Sequence, residues 1–173
     1  PADIFFTVDA GNLWKIQKEG YFQSISSAKV LSIVPINLRG PNNEWIAIAK
    51  RARVIFYNPK TVSNEELADL NYEDLANKEW DDRVVIRSSN NIYNQSLVAS
   101  LISTHGIEKT EEWAKGFVSN FARKPQGNDR SQIMAVANGV SDLAIANSYY
   151  YGYMLSGKAG NEQVEAAKKV KMF

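Results

Sequence analysis

The sequence predicts an α/β protein, because strand-like apolar runs alternate with amphipathic helices along the chain. Residues 3–8 form an apolar run typical of a buried strand, and a helix over residues 10–18 follows with Asp9 as its N-cap. A longer strand-like run covers residues 45–57 and carries basic side chains at its centre. A third apolar run, over residues 142–146, leads directly into an aromatic segment. Such strand-to-helix steps are the building block of α/β folds.

The rest of the chain supplies further helices, and local signals mark where they begin and end. Ser63 and Glu66 form a capping box that predicts the start of a short helix. Trp113, Phe117 and Phe121 recur every four residues and predict one buried helix face. The remaining predicted elements are a helical turn over residues 71–76, a strand over 83–87, and helices over 91–104, 109–122, 129–137 and 161–170.

Composition excludes several functional classes. The 173 residues include 20 basic and 19 acidic side chains, and this scattered, near-neutral charge argues against nucleic-acid binding. No apolar run approaches the roughly 18 residues of a membrane span. Without cysteine the chain has no disulfide, thiolate metal site or cysteine nucleophile. The one histidine, His105, lies at a predicted helix end and cannot build a zinc site alone.

Both ends of the chain are apolar. Residues 1–8 carry no signal peptide and run straight into the first predicted strand, and residues 169–173 end on an apolar rise. We therefore expect the chain to be an internal piece of a longer protein.

Tyrosines cluster after two of the predicted strands. The chain contains eight tyrosines, and four of them lie within residues 149–153, directly after the strand over 142–146. Tyr93 has the same setting, since it follows the strand over 83–87 and a polar turn. The carboxyl ends of strands are where α/β sheets usually hold ligands. Aromatic residues there also pack helix starts, so composition alone leaves a purely structural role open.

Tyrosine hydroxyls that converge in a crevice need partners, and a hard trivalent cation is one such partner. Fe³⁺ prefers oxygen ligands, and phenolate is a strong anionic oxygen donor. A free phenol has a pKa of about 10, so the metal itself must displace the proton. Binding would then release protons and weaken in acid.

Four runs of residues carry a resemblance to a known family. They are A-D-I-F-F-T-V-D-A-G-N-L, K-R-A-R-V-I-F-Y-N-P, V-V-I-R-S-S-N-N-I-Y-N-Q-S-L-V-A-S-L-I and D-L-A-I-A-N-S-Y-Y-Y-G. The chain resembles the ferric iron-binding proteins of ABC importers over most of its length, and especially their cyanobacterial, FutA-like type. The resemblance implies an α/β, type 2 periplasmic-binding-protein fold. In that fold two α/β lobes close on the ion around a hinge of crossing strands, and one lobe would be incomplete in this chain.

The resemblance also implies domain boundaries and a ligand set. The boundaries are part of the N-terminal lobe over residues 1–44, a hinge-crossing strand over 45–57, a second α/β lobe over 58–150 and the start of a return segment over 151–173. Tyr93, Tyr149 and Tyr150 match the tyrosine ligands of the family, and Tyr151 should point away and pack. The family's His-Tyr pair after the first strand has no counterpart here, so at least one ligand would lie outside the chain.

Basic and polar side chains near these tyrosines have expected roles as well. The family places an arginine of the K-R-A-R run beside the ligands, where it offsets charge or hydrogen bonds a phenolate, and we favour Arg53 over Arg51. Ser88, Ser89 and Asn90 lie at a predicted helix N-terminus, which is a ready anion site. In an iron carrier they could hold a synergistic anion such as carbonate, although helix capping alone would satisfy them.

The resulting hypothesis is a periplasmic solute-binding protein that captures Fe³⁺, delivers it to an ABC permease in the inner membrane and catalyses nothing. When complete, such a protein should be a monomer that does not span the membrane. One alternative keeps the fold but binds an oxyanion or a small organic phosphonate through residues 88–90. Another is an enzyme that uses Tyr150 as an acid, although no catalytic motif is visible. A third is a remnant that holds no iron by itself.

Overall fold

The computed structural model describes residues 3–173 and falls into two compact units, which divide between Lys50 and Arg51. The first unit contains α1 (Ala10–Lys18), α2 (Ala28–Ile33) and a 3₁₀-helix (Ile36–Leu38). The second unit contains, in chain order, β1 (Arg53–Tyr57), α3 (Asn64–Leu67), 3₁₀-helices at Asp74–Ala76 and Lys78–Trp80, β2 (Val84–Val85), α4 (Ile92–His105), α5 (Ile107–Ser119), α6 (Asp129–Ala137), β3 (Leu143–Asn147), α7 (Ser148–Leu155), α8 (Asn161–Lys168) and β4 (Lys171–Met172). A membrane-spanning helix is absent from residues 3–173, since none of the helices there has the required length and apolar character.

In the first unit the helix prediction is confirmed and the strand prediction is wrong. Helix α1 has the predicted bounds, and the Asp9 carboxylate accepts a hydrogen bond from the Gly11 amide at 3.0 Å. Residues 3–8 are not a strand, and Ile4 and Phe6 are each 75% exposed. A strand needs a partner for its backbone hydrogen bonds, and no strand within the described residues pairs with this run. Apolar character alone therefore did not make it a buried strand.

The second unit is built on a four-stranded sheet in the order β2-β3-β1-β4. Strand β1 pairs antiparallel with both β3 and β4, whereas β2 and β3 run parallel. Parallel neighbours end at the same edge of a sheet, so the turns after β2 and β3 lie side by side. This arrangement positions the tyrosines.

Strand β1 is much shorter than the predicted strand over residues 45–57. Its residues pair with β3 from Arg53, opposite Asn147, to Tyr57, opposite Leu143. Beyond that register the segment that follows β3 continues as helix α7 from Ser148, so within the described residues no strand pairs with the segment before Arg53. The division between the two units falls inside the predicted crossing strand. Its function as a hinge stays a prediction.

The sheet of the second unit is covered on both faces, as expected for an α/β fold. Side chains of β1 alternate, so that Phe56 packs with helices α6, α7 and α8 and Ile55 packs on the opposite face. Strand β3 alternates in the same way and is buried along its whole length. Its small residues Ala144 and Ala146 face the side of α6, while Leu143 and Ile145 fill the other core.

The helices of the second unit follow the local signals in the sequence to within about three residues. The predicted capping box is present, because the Ser63 hydroxyl accepts from the Glu66 amide and the Glu66 carboxylate accepts from the Ser63 amide. Asn128 is the N-cap of α6 and accepts from the Ser131 amide at 3.1 Å. Of the predicted strand over residues 83–87, only β2 is formed. It lies at the edge of the sheet, and only its two residues pair with β3.

Candidate metal centre

Two strand-to-helix turns bring tyrosine hydroxyls together at one edge of the sheet. Tyr93 lies in the first turn of α4, after β2, and Tyr149 lies in the first turn of α7, directly after β3. Their hydroxyl oxygens are 3.4 Å apart. Tyr150 follows, and its ring centroid is 4.2 Å from that of Tyr149. The structure therefore places the three tyrosines expected from the sequence in one cluster.

The local sequence explains why these side chains point as they do. The Asn91 side chain caps α4 by accepting a hydrogen bond from the Tyr93 amide at 3.0 Å, which fixes the first turn of the helix. In α7 successive residues are about 100° apart around the helix axis, so Tyr151 projects about 200° away from Tyr149. Tyr151 points away as expected: its hydroxyl donates to the Val170 carbonyl at 3.4 Å, and its ring packs against Phe56.

Arg51 lies just before β1, and Arg53 is the first residue of that strand. Of the two, Arg51 makes the direct contact with the tyrosines. Its Nη1 donates to the Tyr93 hydroxyl at 3.2 Å, and its guanidinium carbon lies 5.6 Å from the ring centroids of both Tyr93 and Tyr149. Arg53, the arginine that we favoured, points inward instead. Its guanidinium donates to the buried Asp129 and Asn94, and it approaches the Tyr93 ring only at 5.9 Å.

Below the tyrosines lies a buried ion network that sequence reasoning did not find. The Asp129 carboxylate is fully buried and forms ion pairs with Arg53 at 3.2 Å and Arg87 at 3.1 Å. It also accepts a hydrogen bond from the backbone amide of Asn147 at 2.8 Å. The Arg87 guanidinium lies 5.7 Å from the Tyr93 ring. In the sequence Asp129 is only the first residue of a predicted helix, and no local pattern reveals partners that lie tens of residues away.

The two contacting phenols are neutral in the absence of a metal. Burial raises the pKa of Tyr93, and the neighbouring Tyr149 hydroxyl raises it further, while Arg51 opposes the shift. Burial also raises the pKa of Tyr149, and the Tyr150 hydroxyl adds to the effect. Burial lowers the pKa of Arg53, which Asp129 counteracts. Because an ordinary phenol has a pKa of about 10, Tyr93 and Tyr149 keep their protons at neutral pH.

The other polar residues singled out in the sequence have local partners. The Ser88 hydroxyl accepts from the Asn90 amide at 3.3 Å, and the Ser89 carbonyl accepts from the Gln95 side chain at 3.2 Å. Anion binding by this turn stays a prediction. His105 pairs with Glu73 at 2.5 Å, at the far end of α4 from Tyr93. Within residues 3–173 no group of three or more His, Cys, Asp or Glu side chains is arranged to hold a metal ion.

Sequence comparison places the chain among known proteins. Residues 1–163 match the sequence profile of the bacterial extracellular solute-binding proteins. The chain belongs to this family. Among the relatives of this solute-binding protein is iron uptake protein A1 of Synechocystis sp., which is 52% identical over 158 residues. That match covers 91% of this chain and 43% of the relative, and the chain spans about half the length of the curated relatives it matches.

Solved structures give the same fold for this solute-binding protein. Trichodesmium FutA, solved in complex with iron and citrate, is similar with a TM-score of 0.94 and 53% identity, over 100% of this chain and 54% of that one. The ferric binding protein of Campylobacter jejuni is similar with a TM-score of 0.92 and 37% identity, over 99% of this chain and 54% of that one. The predicted type 2 periplasmic-binding-protein fold and the predicted resemblance to ferric iron-binding proteins are confirmed.

Proposed function

We propose that this chain binds Fe³⁺ through the phenolate oxygens of Tyr93, Tyr149 and Tyr150. The observation that carries the proposal is the contact between the Tyr93 and Tyr149 hydroxyls, 3.4 Å apart, at the ends of two parallel strands. Two oxygens this close can bind a single ion without a large movement of either turn. The names of the relatives, which describe iron uptake and ferric binding, support the same ligand.

The chemistry of the cluster favours a hard trivalent cation. Phenolate suits Fe³⁺ better than softer donors do, and the ion must displace protons from Tyr93 and Tyr149, whose pKa values are raised above that of an ordinary phenol. Three phenolates balance the charge of Fe³⁺. Arg51 then donates a hydrogen bond to the oxygen of Tyr93, which stabilises its anionic form. The remaining coordination positions are left for an anion such as carbonate or citrate and for ligands beyond these residues.

The same proposal places the protein in transport rather than catalysis. A solute-binding protein of this family would carry Fe³⁺ through the periplasm and present it to an ABC permease in the inner membrane. In the complete protein, which we propose to be a monomer, the N-terminal lobe would close over the tyrosines and keep iron from hydrolysis. A bound and shielded ion is the cargo, so no reaction at Tyr150 is required.

Visible absorption tests the iron proposal directly. Adding Fe³⁺ as a soluble chelate should produce a tyrosinate-to-iron charge-transfer band, because bound phenolate donates electron density to the oxidised metal. The double variant Tyr149→Phe/Tyr150→Phe should lose the band and bind iron much more weakly. Equilibrium dialysis against the same chelate gives the affinity of each protein.

The matched control is Tyr153→Phe, which removes a hydroxyl from the same helix. Tyr153 is 43% exposed, and its ring lies beside Arg130 rather than in the tyrosine cluster. This variant should keep both the band and the affinity. A colourless parent protein, or a double variant that binds iron as the parent does, would refute the assignment.

One observation favours a second candidate, an oxyanion or a small organic phosphonate. Three guanidinium groups, those of Arg51, Arg53 and Arg87, lie within 6 Å of the Tyr93 ring centroid, and Asp129 is the carboxylate that pairs with two of them. Such a surplus of positive charge attracts anions. Calorimetry with phosphate and with a phosphonate, in the absence of iron, separates the candidates. Tight anion binding by a protein that stays colourless with Fe³⁺ would establish the second function.

A further inference from the structure

We propose that Asp129 is the positioning residue of the tyrosine cluster and sets the separation of Tyr93 and Tyr149. This inference rests on the proposed function, because a fixed separation matters only if the hydroxyl oxygens of both tyrosines bind one ligand. The separation itself is a property of the metal-free protein and can be measured without iron.

The two oxygens of Asp129 bind the two tyrosine-bearing turns. Oδ2 accepts from the Asn147 amide at 2.8 Å, two residues before Tyr149. Oδ1 accepts from Arg87 Nη1 at 3.1 Å, at the start of the turn that leads to Tyr93. A single rigid carboxylate therefore spans the gap between the end of β3 and the β2–α4 turn. Any movement of one turn relative to the other must break a charge-assisted hydrogen bond.

A second set of contacts holds the arginines in place. Arg53 donates to Asp129 Oδ2 at 3.2 Å and to Asn94 Oδ1 at 2.5 Å. Asn94 in turn donates through Nδ2 to the Arg87 carbonyl at 2.7 Å. The side chain and the backbone of Arg87 are thus both fixed, and Tyr93 lies in the helix turn that contains Asn94. Metal ligands are held by such outer contacts in many proteins.

Helix capping does not account for Asp129. The N-cap of α6 is Asn128, whose side chain already accepts from the Ser131 amide. Asp129 instead turns its carboxylate toward the end of the sheet, where it is fully buried. Burying a carboxylate costs free energy unless it is paired and hydrogen bonded, and two of its partners, Arg87 and Asn147, belong to the segments that lead to the tyrosines. We infer that positioning these segments is its function.

The test uses a double variant, because Asp129→Asn alone leaves the two largely buried guanidinium groups of Arg53 and Arg87 without an anion, and unfolding would then mask the result. The double variant Asp129→Asn/Arg87→Gln removes one charge of each sign, so it breaks the link at constant net charge. Asp142→Asn is the control. Asp142 pairs with Arg83 at 2.6 Å just before β3 begins, at the opposite end of that strand from the tyrosines. Thermal unfolding identifies which variants are folded.

In the metal-free proteins the readouts are the nuclear Overhauser effect between the Tyr93 and Tyr149 rings and the hydrogen exchange of the Asn147 amide. The double variant should lose the ring-to-ring effect and exchange that amide faster, whereas Asp142→Asn should change neither. With Fe³⁺ present, the double variant should show a shifted charge-transfer band and an affinity weaker by about 10- to 100-fold. A destabilised but correctly positioned site would keep the position of the band.

The outcomes separate this inference from the proposed function. If the double variant is folded and keeps the ring-to-ring effect, the slow Asn147 exchange and the parent band, Asp129 is not a positioning residue. If the parent forms no band with Fe³⁺, the iron proposal fails, and Asp129 is then judged on the two metal-free readouts alone. If the double variant loses the ring-to-ring effect and exchanges the Asn147 backbone amide faster, while Asp142→Asn changes neither, the inference is supported in either case.

Discussion

At the scale of single residues, the chemistry of the site depends on what surrounds each tyrosine hydroxyl. Tyr93 contacts a cation, Arg51, and a second phenol, Tyr149, within hydrogen-bonding distance. The arginine favours the phenolate, but burial and the second phenol favour the neutral form and prevail, so the pKa of Tyr93 is raised. The metal-free cluster therefore holds protons that an incoming cation must displace. Iron binding and proton release are coupled as a result.

This coupling predicts how binding depends on pH. Tyr93 and Tyr149 hold their protons at neutral pH because their pKa values are raised, so Fe³⁺ that binds both as phenolates should release about two protons from them, one from each. The affinity should consequently fall as the pH is lowered and rise as the pH increases toward the phenol pKa values. Proton release can be measured with a pH indicator in weakly buffered solution, after subtracting the release from the iron chelate alone.

The variant Tyr149→Phe sharpens this measurement. Removing one phenol should lower the release by about one proton per iron and reduce the slope of affinity against pH. Tyr153→Phe should leave the release unchanged, since that residue lies outside the cluster. Release that is identical in the parent and in Tyr149→Phe would show that this phenol does not ionise on binding.

At the scale of secondary-structure elements, two helices contain a glycine in different surroundings. Gly116 lies in α5, where an added Cβ would come within 2.8 Å of the Ala76 carbonyl oxygen and 3.0 Å of the Ala76 Cβ. Gly152 lies in α7, where an added Cβ would meet nothing within 4 Å. Helix propensity alone favours alanine at both positions. The close approach of α5 to the 3₁₀-helix at Asp74–Ala76 is what distinguishes them.

We therefore expect opposite effects from the same substitution. Gly152→Ala should stabilise the protein by about 0.5–1 kcal/mol, because alanine loses less backbone entropy than glycine on folding. Gly116→Ala should destabilise it, because an overpacking cost of about 1–3 kcal/mol outweighs that gain. Denaturant unfolding of the two variants and the parent measures both changes. Stabilisation by Gly116→Ala would mean that Ala76 moves aside without cost.

The secondary-structure elements differ in how well they could be predicted from the sequence. Helices were predicted well because their signals are local: the capping box at Ser63 and the N-cap at Asp9 act within four residues. Strands were predicted less well because pairing is not local. Residues 3–8 have the composition of a strand but no strand partner within the described residues, and β1 begins only at Arg53 because β3, its partner, ends at Asn147 and continues as a helix.

The site residues likewise fall into those that could be predicted from the sequence and those that could not. The tyrosines were predictable, since Tyr93 and Tyr149 each follow an apolar run and a strand-to-helix turn is visible in the sequence. Asp129 was not, because its function depends on Arg87 and Asn147, and only the folded sheet brings these together. The choice between Arg51 and Arg53 could not be made from the sequence for a related reason: residues two apart on an extended strand share one face, and only the position of Asp129 decides which arginine turns inward.

At the scale of the whole molecule, the two units differ in how much they bury. The second unit contains both hydrophobic cores, the sheet and the complete tyrosine cluster. In the first unit Gly40 is the single buried residue among residues 3–50, and apolar side chains such as Ile4, Phe6 and Ile36 are mostly exposed. Burial of apolar surface is the main source of folding free energy. The stability of this chain should therefore reside in residues 51–173.

Hydrogen exchange measured by mass spectrometry tests this distribution. Backbone amides in β1, β3 and α6 should exchange only through global unfolding, because their side chains form the core. Amides of α1 and α2 should exchange much faster, since small local openings expose them. Adding Fe³⁺ should slow exchange in the first turns of α4 and α7, where Tyr93 and Tyr149 lie. Protection of α1 equal to that of β3 would contradict the distribution, because it would require a core that residues 3–50 do not contain.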